Sequence, residues 1–183
     1  MDKFYVPSWD DIESAVIEVG RTLLLDGFVP DVLVAIATGG LIPAKLLSDL
    51  LDVNSIREVE AKFYKSVGVT GSKPVIRSAH LDGIENRKVL VVDDVSDSGE
   101  TLNAVVNLVS MFSPKAVKTA TLYVKPWART VPDYYHSKID RWIVFPWDKW
   151  AVVRENPSVD VANIEKFKQI NELLRSLHKK ESG

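Results

Sequence analysis

Two kinds of hydrophobic pattern alternate along the chain. Ile12, Val16, Val19 and Leu23 recur at helical spacing, which turns one apolar stripe toward a core. Ser8 is placed to cap that helix, Asp10 and Asp11 fall in its first turn, and Gly27 can end it. Val32 to Ala37 is instead an unbroken apolar run, as expected of a strand buried on both faces. Gly39-Gly40 interrupts it, and Pro43 suits the first turn of a helix reaching about Leu51. Further strands are expected at Ile56 to Tyr64, Val89 to Val92, Lys118 to Val124 and Trp142 to Phe145. A helix is expected from about Thr101 to Phe112. Ser66 to Ala79 carries Gly68, Gly71, Ser72 and Pro74 without a clear period, and reads as a mobile loop or loose hairpin. Beyond Pro157-Ser158, the positions Val161, Ile164, Phe167, Ile170, Leu174 and Leu177 mark a C-terminal amphipathic helix over about 158–179. Strands alternating with helices predict an α/β fold with a mostly parallel sheet.

Composition narrows the function classes. The 183 residues suffice for one domain, read as 1–183 with its core over about 30–155. A formal net charge of −2 implies no broad attraction to nucleic acid or to an anionic membrane, and neither is expected as a partner. The chain has 0 cysteines, which excludes disulfides, thiolate metal sites and a cysteine nucleophile, and fits a reducing cytoplasm. The first residues lack the apolar run of a signal peptide, and no stretch approaches the length of a membrane span. His80, His136 and His178 form no ligand-spaced group.

The chemistry concentrates at Val89 to Thr101, which reads Val-Leu-Val-Val-Asp-Asp-Val-Ser-Asp-Ser-Gly-Glu-Thr. Ligands of open α/β sheets bind beyond the carboxyl ends of the strands. Asp93 and Asp94 are adjacent there. Two carboxylates 4 Å apart repel by roughly 4 kcal/mol at an effective dielectric near 20, so the pair needs donors, solvent or a cation. Sugar hydroxyls or a hydrated Mg²⁺ would satisfy it. The turn Asp97-Ser98-Gly99-Glu100-Thr101 leads into a helix N-terminus, where outward N–H groups and the helix dipole favour an anion such as phosphate. A phosphate beside two carboxylates points to a phosphorylated sugar. Taken singly, these residues are ordinary helix caps.

The whole segment resembles the 5-phosphoribosyl-1-pyrophosphate (PRPP) motif of the type I phosphoribosyltransferases. Ala37-Thr38-Gly39-Gly40-Leu41-Ile42-Pro43 resembles that family's pyrophosphate loop. Lys125-Pro126 and Trp142-Ile143-Val144-Phe145-Pro146-Trp147-Asp148 resemble the purine-binding parts of its xanthine-guanine and hypoxanthine-guanine members. The resemblance covers about residues 30–155. It implies a mostly parallel twisted sheet flanked by helices, a small hood region and the C-terminal helix. It also implies a Mg²⁺-dependent transfer of phosphoribosyl from PRPP to a 6-oxopurine, and a homodimer or homotetramer. By the same resemblance, Asp93 and Asp94 face the ribose hydroxyls, directly or through metal-bound water. Asp97 is the general base near purine N7. Ser96, Asp97, Ser98, Gly99, Glu100 and Thr101 cradle the 5′-phosphate. Thr38, Gly39 and Gly40 offer backbone N–H groups to pyrophosphate, where the family often has a non-proline cis peptide. Lys125 donates to O6 of the base, Trp142 stacks on the ring and the backbone of Ile143 meets the 2-position. Asp148 helps bind a second Mg²⁺, and Arg154 reaches pyrophosphate. One position departs from the pattern. The family often has Lys or Arg before the Gly-Gly, and here Thr38 stands there. Backbone donors, Mg²⁺, Arg154 or a loop cation such as Lys62, Lys65, Lys73 or Arg77 must then compensate.

Lys125 is a donor only. A 6-oxo group gives it an acceptor, whereas a 6-amino group sets donor against donor. An unpaired buried polar group costs about 1–3 kcal/mol, so adenine is expected to be disfavoured by roughly tenfold to a hundredfold. Trp127, Trp142, Trp147 and Trp150 crowd one stretch, and most of them read as packing residues. Two other functions fit parts of the pattern. One is a PRPP- or nucleotide-sensing regulator with the same fold and little catalysis, which Thr38 favours. The other is a receiver-like phosphoacceptor, against which the Ser-Asp-Ser-Gly-Glu-Thr turn argues.

Overall fold

The computed structural model describes residues 3–64 and 73–181. In chain order the elements are β1 (Phe4–Tyr5), α1 (Trp9–Leu25), β2 (Val32–Ala37), α2 (Leu41–Leu50), β3 (Ile56–Tyr64), β4 (Lys73–His80) and β5 (Lys88–Ser96). There follow α3 (Glu100–Ser110), β6 (Ala116–Val124), β7 (Tyr134–Lys138), β8 (Trp142–Ile143), α4 (Lys149–Glu155) and α5 (Ile164–Glu181). The chain forms two compact units, one of residues 10–140 and one of the two chain ends, up to 9 and from 141. No helix among the described residues is long and apolar enough to cross a membrane.

The larger unit holds a six-stranded sheet in the order β4-β3-β2-β5-β6-β7. All neighbours pair in parallel except β3 and β4. The α/β, mostly parallel architecture expected from the sequence is therefore present. Side-chain alternation explains the unbroken apolar runs. Val32, Val34, Ile36, Val89 and Val91 share one core with Leu102, Val105 and Val109 of α3. Leu33, Ala35, Leu90 and Val92 point to the opposite face and are equally buried, and α2 packs against β2 and β5.

Some boundaries differ from the sequence reading. Within Ser66 to Ala79, read as a mobile loop or loose hairpin, the hairpin alternative holds for the described part: residues 73–80 form β4, antiparallel to β3 with an irregularity at Glu60/Ala61. The rest of that loop, with Lys65, lies outside the described residues. Trp142–Phe145 is not a strand of the main sheet. Only Trp142–Ile143 is extended, and it pairs with β1 in a separate two-stranded sheet. The sixth strand of the main sheet is β7, whose Tyr-Tyr-His-Ser-Lys lacks an apolar run because only Tyr134 is fully buried.

The smaller unit has its own core of Val144, Val153, Val159, Val161 and Phe167. Trp150 stacks on Phe167 at 4.8 Å, and Phe145 on Trp147 at 4.7 Å. α5 begins later than expected, at Ile164. Its Ile170, Leu174 and Leu177 are exposed, so the apolar stripe read from the sequence is buried only at its start.

Candidate active site

The chain runs from β2 to β3 on one side and returns through β5 on the other. The β2–β5 crevice is thus the switch point of the sheet, where α/β folds bind ligands. Pairing between these strands ends with Ala35 opposite Val92. β5 itself continues to Ser96, held by β6 through Asp93–Thr121 and Ser96–Val124. The acidic pair therefore lies inside the strand, whose C-terminal end runs four residues past the expected Val92, at the point where β2 has let go.

Burial and a like charge load this pair. Asp94 is 8% exposed. Burial pushes the Asp93 carboxyl well above the ordinary carboxylate range, and the charge of Asp94 adds to that. The Asp94 backbone N–H, which donates to Asp93 Oδ1 at 3.0 Å, pulls the other way. Such a pair suits hydroxyl donors or a hydrated cation. No cluster of three or more His, Asp or Glu side chains in metal-binding geometry occurs among the described residues.

Beyond β5, residues 97–99 turn into α3. Gly99 caps the helix at φ +86, and Ser98 Oγ accepts from the Glu100 N–H at 3.3 Å. A cavity of about 580 Å³ opens here, lined by Asp93 and by Ser96 to Thr101 among others. All the residues expected to cradle a phosphate thus line one cavity at a helix N-terminus.

The 38–40 loop leaves β2 through a cis peptide between Ala37 and Thr38. It runs beside the acidic pair. A Cβ on Gly39 would fall 2.7 Å from Asp94 Cγ. The Gly40 N–H donates to the Ile36 carbonyl at 2.8 Å. Of the three N–H groups expected to face pyrophosphate, that one has an internal partner. At the other end of the loop, Leu41 N–H donates to the Thr38 carbonyl at 3.2 Å.

A third segment, 125–130, was expected at this site only through Lys125-Pro126. It is tied along 96–99. Lys125 N–H donates to the Ser96 carbonyl at 2.9 Å, Arg129 N–H to the Ser98 carbonyl at 3.0 Å, and Ser96 Oγ to the Thr130 carbonyl at 3.2 Å. This seam brings Lys125 toward Asp97. Lys125 is 8% exposed, and burial lowers its ammonium from the ordinary lysine range against the opposing charges of Asp97 and Asp140. Trp127, read from the sequence with the packing tryptophans, is 57% exposed. Its Nε1–H donates to Asp97 Oδ1 at 2.8 Å, and its ring lies 5.6 Å from Lys125 Nζ. Only its position two residues after Lys125 hinted at this role.

The remaining expected residues belong to the smaller unit. Trp142 is 62% exposed, while Ile143 is buried beside Tyr5. Asp148 precedes α4 and is exposed. Arg154 lies in the last turn of α4, its guanidinium 5.1 Å from the Phe167 ring centroid. Of the loop cations, Arg77 and Lys62 both pair with Glu60.

The chain is thus an α/β protein whose mostly parallel sheet carries paired carboxylates and a cavity of about 580 Å³ at its switch point. Residues 8–152 match the family described as phosphoribosyl transferase domain, and the chain belongs to that family. It is 36% identical over 158 residues to a xanthine-guanine phosphoribosyltransferase of Cereibacter sphaeroides, covering 80% of this chain and 88% of the relative. A Chromohalobacter salexigens enzyme of the same name is 34% identical, covering 85% and 90%. Among solved structures, a purine phosphoribosyltransferase from Pyrococcus horikoshii is 38% identical at a TM-score of 0.71, covering 80% and 95%.

Proposed function

We propose that the chain transfers 5-phosphoribosyl from PRPP to a 6-oxopurine, giving the nucleoside 5′-monophosphate and pyrophosphate in purine salvage. The observation that supports this most is the seam joining 96–99 to 125–130, which sets a buried lysine donor and an aspartate beside the phosphate cavity. Lys125 would meet O6, and Asp97 would take the N7 proton as N9 bonds to C1 and the C1–pyrophosphate bond breaks. Asp93 and Asp94 would hold the ribose hydroxyls. Ser96 to Thr101 would hold the 5′-phosphate, and the 38–40 loop would hold pyrophosphate. Trp142, Ile143 and Arg154 keep the base-stacking, 2-position and pyrophosphate roles that the resemblance gives them. Mg²⁺ fits the acidic pair, with Asp148 for a second ion, and when bound it supplies charge neutralisation at the leaving pyrophosphate. The chain's own contribution is positioning and a fixed electrostatic frame. The relatives carry the names of enzymes, which does not favour the sensing alternative.

The test is a purine panel with PRPP and Mg²⁺, read by labelled pyrophosphate release. Guanine, hypoxanthine or xanthine is expected to release it, and adenine to do so at least tenfold more slowly. PRPP binding without release for any of the four bases would refute the enzyme. Asp97→Asn is expected to bind PRPP and to turn over at least a hundredfold more slowly, as loss of a general base implies.

A further inference from the structure

Trp127 touches both groups assigned to the base. Its indole N–H donates to Asp97 Oδ1 at 2.8 Å, and its ring faces Lys125 Nζ at 5.6 Å. At 57% exposure the indole nitrogen could be hydrated by water, so burial does not compel this bond. The path of the chain does. Ala128 N–H donates to the Lys125 carbonyl at 3.0 Å and closes a tight turn around Trp127. The Arg129 and Thr130 N–H groups both reach the Ser98 carbonyl, next to Asp97. The indole is thereby presented to the carboxylate from a backbone pinned on either side.

A carboxylate rotates about its last torsion through a broad range, and it has two oxygens that can each accept. A charge-assisted bond to one oxygen fixes that torsion and leaves the other free to act. We propose that Trp127 is a positioning residue for Asp97: its N–H occupies Oδ1, so that Oδ2 is the atom turned toward the proton of purine N7. This rests on the reading of Asp97 as the general base.

The experiment uses the full chain with PRPP, Mg²⁺ and guanine, and compares wild type, Trp127→Phe, Asp97→Asn and the double variant. Phenylalanine keeps an aromatic ring for Lys125 and removes the N–H donor. With the side chain exposed, the melting temperature of Trp127→Phe is expected to match wild type. Its kcat is expected to fall about fivefold to twentyfold, a share of the hundredfold or more that a general base contributes, with the guanine KM within about twofold. In the Asp97→Asn background the same change is expected to add nothing. An unchanged kcat overturns the proposal. So does a KM increase at constant kcat, which would make the indole a binding surface for the base. So does a full additional loss in the double variant. Wild-type turnover by Asp97→Asn alone is a separate result: it removes the general base itself, and the positioning role with it.

Discussion

Gly99→Ala against Gly27→Ala separates backbone strain from crowding at the phosphate turn. Both glycines have left-handed backbones, at φ +86 and +73. An L-residue there costs roughly 1–2 kcal/mol, because its Cβ crowds the following carbonyl. At Gly27 nothing else lies within 4 Å of a built Cβ, so that strain is the whole effect. At Gly99 the added Cβ would fall 2.5 Å from both Cβ and the carbonyl oxygen of Thr130, and 2.9 Å from its Cα. Thr130 cannot swing aside, since its N–H and that of Arg129 donate to the Ser98 carbonyl and its own carbonyl accepts from Ser96 Oγ. Overpacking of this kind costs about 1–3 kcal/mol more. Gly99→Ala is then expected to lose about 2–5 kcal/mol against about 1–2 for Gly27→Ala. For a chain of this length each kcal/mol lowers Tm by about 2–4 °C. Thermal melts and urea titrations of both variants read the difference. Equal losses at the two sites would refute the claim that segment 125–130 is fixed against the phosphate turn.

Gly39→Ala sets a Cβ 2.7 Å from Asp94 Cγ, and a side chain can turn where a backbone cannot. The expected result is a PRPP affinity reduced about tenfold, roughly 1.4 kcal/mol by calorimetry, with little change in Tm. Asp93→Asn is expected to raise Tm near pH 7 while turnover falls. With its carboxyl held above the ordinary range, the native state binds more protons than the unfolded chain between the two pKa values, so stability drops as pH rises through that window. The amide removes that loss, and its advantage should vanish below the unfolded aspartate value of about 3.9, which melts across a pH series will show. Lys125→Met is expected to cut kcat/KM for guanine by about tenfold to a hundredfold and leave the slow rate with adenine nearly unchanged, as parallel assays of the two bases will measure.

The sheet was legible because β2 and β5 are unbroken apolar runs, and only a strand covered on both faces needs one. The same signal fails at β7, an edge strand whose outward residues are polar, and at β4, where Gly71, Ser72 and Pro74 mask the start of a strand that pairs on one side only. Val144 and Phe145 misled for the converse reason. They are apolar because they fill the smaller unit, Val144 in its core and Phe145 stacked on Trp147, not because they join the main sheet. At the candidate site, Asp93 to Thr101 stood out since the groups proposed to act there lie within one stretch of chain. Trp127 and Thr130 did not, because their partners Asp97, Ser96 and Ser98 lie about thirty residues away and no local pattern announces the pairing.

That long-range pairing bears on how a phosphoribosyltransferase can work with little covalent chemistry of its own. A transfer between two bound molecules gains most when the reacting atoms are held at near-attack separation, and a misplacement of 1 Å can cost about a hundredfold. Phosphate and base donors on independent loops would let that separation drift. Here Lys125 N–H is bonded to Ser96, and Arg129 N–H to Ser98. The backbone that carries Lys125, the proposed base donor, is therefore tied to the turn proposed to hold the phosphate. Gly99 admits Thr130 where any side chain would hold the two segments apart. A substitution that loosens the seam should therefore lower kcat more than it weakens either substrate alone, which sets it apart from one that removes a binding contact.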